Sequence, residues 1–199
     1  PVLRAPPRNF SSQPLTVVEI DPATLLRISK FSSGEPHFGK TAGNRFDDPR
    51  TPLRRRFGTH YAGLSLRVAF AETILHDEEP AGGKFQIAGA VVSSRYVVEF
   101  EGEELRIADL TGVALKRAGI DPSLTTITDY RLPQRWSVAV HKHREAVDGI
   151  LYMSRHVNTD KALVLFDRAG PKLTSARYTP FIDYPSALAT VLAFGDLIS

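Results

Sequence analysis

Along this chain, apolar positions mark out short strands and a few helices, and the place where the pattern breaks most sharply is an acid. Thr59-His60-Tyr61-Ala62 reads as a short strand ended by Gly63, and Ser65 is a candidate N-cap for a helix from Leu66 to Leu75. Leu66, Ala69, Phe70 and Ile74 recur at helical spacing, while Val68, Ala71 and Leu75 fill much of the remaining circumference. A helix that is apolar nearly all round is a buried helix. Glu72 stands inside that run, one turn after Val68 and one turn before His76. A carboxylate there is costly unless a cation or a hydrogen-bond donor meets it. The plain alternative is a surface pair with Arg67 or His76.

The rest of the pattern frames this stretch. Residues 1–20 are read as an extended N-terminal arm, rich in proline at its start, followed by one domain over 21–199. Asp21-Pro22 opens a short turn, and Leu25–Ser29 reads as a strand. From Phe31 to Arg56 the chain has no usable period and is rich in Gly, Pro, Asp and Arg, as a long functional loop would be. Strands are expected at Phe85–Val92, Tyr96–Phe100, Leu105–Ala108, Gly149–Tyr152 and Ala162–Phe166. Helices are expected at Leu110–Ala118, stopped by Gly119, at Gln134–Val147 and at Ser186–Phe194. No internal repeat is evident. Strands and helices in irregular order predict an α+β fold with a mixed, mostly antiparallel β core and flanking helices.

Composition narrows the class only a little. At 199 residues, with 42% hydrophobic and 24% charged residues, the chain is long enough for one sizeable core. No apolar run approaches the ~18 residues of a membrane span, and the N-terminus has no apolar signal-peptide region. Without cysteine, disulfides and thiolate metal sites are excluded. The expected compartment is therefore the cytoplasm. A formal charge of +3 permits an anionic ligand. The basic excess is uneven: Arg45, Arg50, Arg54, Arg55, Arg56 and Arg67 fall close together.

Three motifs carry less than they promise. Gly34-Glu35-Pro36-His37-Phe38-Gly39-Lys40-Thr41 satisfies the P-loop pattern, but that loop works between a strand and a helix, and Ala42–Pro49 is a poor helix sequence. His141 and His143 fall on different faces of a helix and are a poor metal pair, so no metal is expected. Arg54-Arg55-Arg56 lacks the interleaved aromatic residues of a single-strand nucleic-acid site, and direct nucleic-acid binding is not expected.

A stronger constellation remains: Arg27 on a strand, Arg45 in Gly43-Asn44-Arg45-Phe46, Tyr61 near a strand end, Glu72, and Ser154-Arg155 after Asp148-Gly149-Ile150-Leu151-Tyr152-Met153. In this order, from about Leu26 to Phe166, these blocks resemble the RES-domain family of bacterial toxins. Phe46-Asp47 stands where the family pattern has Trp-Asn, and Gly43-Asn44 where it has Gly-Gly. The resemblance implies an ADP-ribosyltransferase-like fold and a toxin, paired with an Xre-like helix-turn-helix antitoxin, that consumes NAD. NAD is then a substrate broken at the nicotinamide–ribose bond by hydrolysis or phosphorolysis, and no cofactor is required. Transfer of ADP-ribose to a protein is the alternative. In this reading Arg27 and Arg45 clamp the pyrophosphate, since guanidinium donors match phosphate oxygens two at a time. Tyr61 packs against nicotinamide or ribose and offers its hydroxyl. Glu72 stabilises the oxocarbenium-like ribose. Ser154 hydrogen-bonds Glu72 or a ribose hydroxyl, and Arg155 adds a phosphate contact.

Overall fold

The computed structural model describes residues 2–198. Its centre is an eight-stranded sheet in the order β1-β6-β7-β8-β3-β2-β5-β9. These strands are β1 (Val17–Ile20), β2 (Leu26–Ser29), β3 (Thr59–Gly63), β5 (Tyr96–Gly102), β6 (Leu105–Asp109), β7 (Gly149–Met153), β8 (Lys161–Phe166) and β9 (Leu173–Pro180). Only β6 and β7 run parallel; the other pairings in this sheet are antiparallel. A second, parallel pair joins β4 (Phe85–Ala88) to β10 (Gly195–Ile198). The mixed, mostly antiparallel core with flanking helices is the architecture expected from the sequence.

Strand periodicity splits the core between two faces. On β8, Ala162, Val164 and Phe166 join one buried cluster while Leu163 and Leu165 join another. The first cluster lies under α3 (Gly112–Arg117), α4 (Arg131–His141) and the N-terminal segment, which seats Phe10 against Trp136. The second gathers Val98 and Phe100 of β5 with Leu105 and Ile107 of β6, strands far apart in the sheet order, so the sheet curls onto itself. A third cluster packs α1 (Leu66–Thr73), α2 (Gly89–Ser93) and α5 (Ala187–Phe194) around Phe70 and Phe181. Burial of a side chain such as Phe70 contributes about 2–3 kcal/mol.

α1 forms where expected and ends earlier, at Thr73, with Ile74 as its C-cap. Ser65 Oγ accepts from the Val68 N–H and caps its start. Val68 enters the first core cluster while Leu66, Ala69 and Phe70 enter the third, so the helix is wedged between them. Gly63 makes the wedge possible: a Cβ there would lie 2.8 Å from the Ala69 backbone nitrogen. Gly149 plays the same part under β7, where a Cβ would fall 2.3 Å from the Val164 carbonyl oxygen.

Several elements depart from the sequence pattern for local reasons. Phe85–Val92 is a strand only to Ala88; the run then turns into α2, whose Val92 is buried. A short apolar run does not distinguish the two states. α4 spans Arg131–His141 rather than Gln134–Val147. His143 and Val147 are buried beyond its end, His143 against Phe10. β9 alternates exposed polar residues along one outer position of the sheet and carries little apolar signal. The segment read as an arm contains β1, which pairs with β6, and its Arg4 and Gln13 carbonyls meet Trp136 Nε1 and His143 Nε2.

On the second face, His60 is fully buried against Phe100, with Nδ1 3.2 Å from the His37 carbonyl and 3.5 Å from Glu35 Oε2. Burial, with the Arg27 charge adding repulsion, pulls its pKa down to about 3 from 6.5. The folded ring therefore stays neutral where the unfolded chain would take up a proton. Its contribution is present above pH 6.5 and is lost as pH falls toward 3. At pH 5 the loss relative to neutral pH is expected to be about 2 kcal/mol. His60→Asn, which keeps a donor for His37, is expected to flatten this slope in melting curves taken from pH 7 to 5. An unchanged slope contradicts the assignment.

Candidate active site

α1 turns Ala69, Glu72 and Thr73 toward an open cleft of about 370 Å³, and His76, in the turn after the helix, lines it as well. Arg27 of β2 and Tyr61 of β3 line its floor together with Arg45 from the long loop, Tyr130 from the stretch before α4, and Tyr152 and Arg155 at the end of β7. Five of the six residues singled out in the sequence thus share this cleft. The sixth, Ser154, is buried beside it and donates a 2.6 Å hydrogen bond to Glu72 Oε1.

The Ser154 contact has a fixed direction. Its Oγ accepts from the backbone N–H groups of His156 and Val157, so its one proton is left for Glu72. Glu72 is thereby braced from one side with its charge turned to the cleft. The surface pairing with Arg67 is not formed, because Arg67 bridges to Asp160 at 2.9 Å.

Arg45 is 8% exposed and reaches the cleft on a loop fastened at both ends. Its Nη1 donates to the Ile127 carbonyl at 2.6 Å, and its guanidinium lies 4.6 Å from the Tyr130 ring centroid. Nη2 is buried without a hydrogen-bond partner among the described residues. Burial lowers the Arg45 pKa and nearby Arg155 adds to the effect, against the opposing pull of Tyr130 and Glu72. An unpaired donor on a buried cation costs about 1–3 kcal/mol or more.

The loop owes its shape to Asp47, which sequence reasoning did not single out. Asp47 is 1% exposed, and its carboxylate accepts from Thr41 Oγ1, Asn44 N and Nδ2, Thr59 Oγ1 and the Tyr61 hydroxyl, at 2.6–3.1 Å. Tyr61 in turn accepts from the Phe46 N–H. Its hydroxyl is therefore spent on holding the Arg45 loop, and its ring is what lines the cleft. Burial, then the Asp47 charge, raises the Tyr61 pKa, and the phenol stays neutral. α4 fastens the loop's other side, where Gln134 Nε2 donates to the Ala42 and Asn44 carbonyls and Ser137 Oγ to the Phe46 carbonyl.

Arg27 is oriented by a second missed acid. Its Nε donates to Glu35 Oε1 at 2.8 Å and its Nη1 to the Tyr61 carbonyl at 2.8 Å. Despite burial, Arg27 and the His37 N–H hold the Glu35 carboxyl below its usual pKa. Arg155 Nε donates to His156 Nε2 at 3.0 Å on the rim. Three guanidiniums and one braced carboxylate in one cleft suit an anionic ligand that also presents a centre of developing positive charge.

The P-loop pattern has no P-loop context: no helix follows Thr41, whose hydroxyl is bonded to Asp47, and Gly39 is paired with Thr59. His141 stacks on Phe57 and His143 lies under the N-terminal segment, so the two rings serve separate contacts. Arg56 is held by the Arg50 and Lys40 carbonyls. Among the described residues, no helix is long and apolar enough to cross a membrane.

Fold and cleft together define a small α+β protein whose curled sheet supports a cationic pocket around a single braced carboxylate. The chain belongs to the RES domain family, which it matches over residues 23–187. It is 34% identical to the "Probable toxin y4kH" of Sinorhizobium fredii over 90 residues, 45% of this chain and 70% of that protein. Its fold is similar to that of a chain in the crystal structure of the M. tuberculosis MbcT–MbcA toxin–antitoxin complex. The two share a TM-score of 0.58 and 13% identity over 94% of this chain and all of that one.

Proposed function

We propose that this chain is the toxin of a toxin–antitoxin pair and that it breaks the nicotinamide–ribose bond of NAD. The observation that carries the reading is the Ser154-braced Glu72 carboxylate facing a cleft lined by Arg27, Arg45 and Arg155. Family membership and the similarity to a probable toxin support the biological class. In the reaction the guanidiniums seat the pyrophosphate, and the Tyr61 ring supports the nicotinamide riboside end. The C–N bond breaks with its electron pair leaving on nicotinamide, which becomes neutral. The ribose passes through an oxocarbenium-like state that Glu72 stabilises at short range. Water or phosphate then adds to the anomeric carbon and loses a proton. NAD is consumed as substrate in the cytoplasm, with no cofactor. A helix-turn-helix antitoxin of the Xre type is the proposed partner, and the Arg54–Arg56 loop offers it a basic surface.

Ser154→Ala leaves Glu72 charged but unbraced. It is expected to slow nicotinamide release about 10–100-fold, the worth of one hydrogen bond to a charged group, and to lower the melting temperature by several degrees, because the His156 and Val157 N–H groups lose their acceptor. The acceptor is read by incubating the purified chain with NAD, with and without phosphate, and weighing the products. ADP-ribose identifies water and an ADP-ribose phosphate identifies phosphate, whereas a mass increase on protein supports the transferase alternative. Unconsumed NAD under all of these conditions overturns the proposal.

A further inference from the structure

At the cleft mouth, Glu72 is joined by two histidines that the proposed reaction does not use. Glu72, His76 and His156 each present a ligand atom within 4.8 Å of the other two. Glu72 is on the last turn of α1, and the turn that follows brings His76 back beside it. His156 follows the Ser154 turn and brings its ring centroid to 5.1 Å from that of His76. Two imidazoles and one carboxylate with a position left open form a donor set suited to zinc and its neighbours in the transition series. Ligands of a tetrahedral zinc at about 2.0–2.1 Å sit roughly 3.3 Å apart. The site must therefore close by about 1.5 Å, and the half-exposed His76 is free to rotate that far. The outer contacts are already in place: Ser154 holds one Glu72 oxygen and leaves the other. Arg155 Nε donates to His156 Nε2, so the proton of that ring is on Nδ1.

We propose that Glu72, His76 and His156 bind a zinc-class divalent cation at the mouth of the cleft, and that its occupation blocks NAD cleavage. The blocking half rests on the reading of Glu72 as the charge-stabilising residue. A bound cation neutralises that carboxylate and opposes positive charge developing beside it. Ligation through His156 Nε2 also displaces Arg155, and competition with this guanidinium weakens binding.

The test is a cobalt titration of the tag-free, metal-stripped full chain, followed by visible absorption, with zinc as competitor. A saturable band that zinc abolishes is expected, and both His76→Gln and His156→Gln should weaken binding at least tenfold while retaining the far-ultraviolet circular dichroism of the parent. No saturable binding below about 1 mM, or binding undiminished in both variants, overturns the site. In a chain that releases nicotinamide, saturating zinc is expected to slow release at least tenfold; undiminished release overturns the blocking role. A chain that binds cobalt yet never consumes NAD contradicts the proposed reaction and leaves the cation site standing.

Discussion

Glu72→Gln is expected to lower nicotinamide release by about 10²–10³-fold without disturbing the fold. Gln keeps the length and shape of the side chain, and its amide oxygen still accepts from Ser154 Oγ, now at 2.6 Å from the carboxylate. What it removes is the negative charge. Because α1 is packed on both sides, by Val68 into one cluster and Phe70 into another, the new side chain cannot swing away to another position. A pre-positioned charge acts most strongly where it need not reorganise as the reaction proceeds. The melting temperature should move by no more than a few degrees, since no buried donor is left without an acceptor. Expression of the wild-type chain should arrest growth and the variant should not. Turnover that survives Glu72→Gln removes the catalytic role assigned to this residue.

Asp47→Ala is expected to act on the scaffold and on the site together. Five donors converge on that buried carboxylate, from the loop itself and from Thr59 and Tyr61 of β3. Removing it leaves several buried donors unpaired at once. The expected loss is about 3–5 kcal/mol, or a fall in melting temperature on the order of 10 °C for a chain of this size. Arg45 follows Asn44 directly and depends on the same turn, so the folded fraction of the variant should also bind NAD poorly. Asp47→Asn should fall between the two, because its amide keeps one acceptor but turns a second donor toward the others. A melting temperature within 2 °C of the parent would show that the loop is held by α4 alone.

How much of this was legible beforehand follows from the range over which each signal acts. Glu72 stood out because an acid in an apolar helical run is a local contradiction, visible within eight residues. Ser65 as N-cap and Gly63 as strand end are local as well, and both hold. Arg27, Arg45, Tyr61, Ser154 and Arg155 were found through their order along the chain, and the cleft gathers them. What the sequence concealed is the set of partners that gives each of them its geometry. Tyr130 lies under Arg45 across 85 residues, and Gln134 reaches Asn44 across 90. Such pairings leave no periodicity to read. Asp47 and Glu35 sit in a loop without repeat, where an acid looks like any solvated one until its donors are seen. The outer strands β1 and β9 were missed for related reasons: β1 is only four residues long and lies in the stretch read as an arm, and β9 is largely polar, so backbone hydrogen bonds carry its pairing.

The Tyr61 hydroxyl also changes the division of labour. It was expected to serve the ligand, whereas Asp47 and Phe46 occupy it. Under the proposed function, recognition of the ligand then falls on the ring of Tyr61 and on the guanidiniums, while the hydroxyl connects β3 to the loop that delivers Arg45.

Nicotinamide release tests the central claim most directly. The purified chain, free of any partner, is mixed with NAD, and free nicotinamide is followed by chromatography alongside Glu72→Gln. The account predicts catalytic release, many nicotinamides per protein molecule, from the wild-type chain, and at most about a hundredth of that rate from the variant. Intact NAD after prolonged incubation with the folded wild-type chain, or equal release by both proteins, would contradict it.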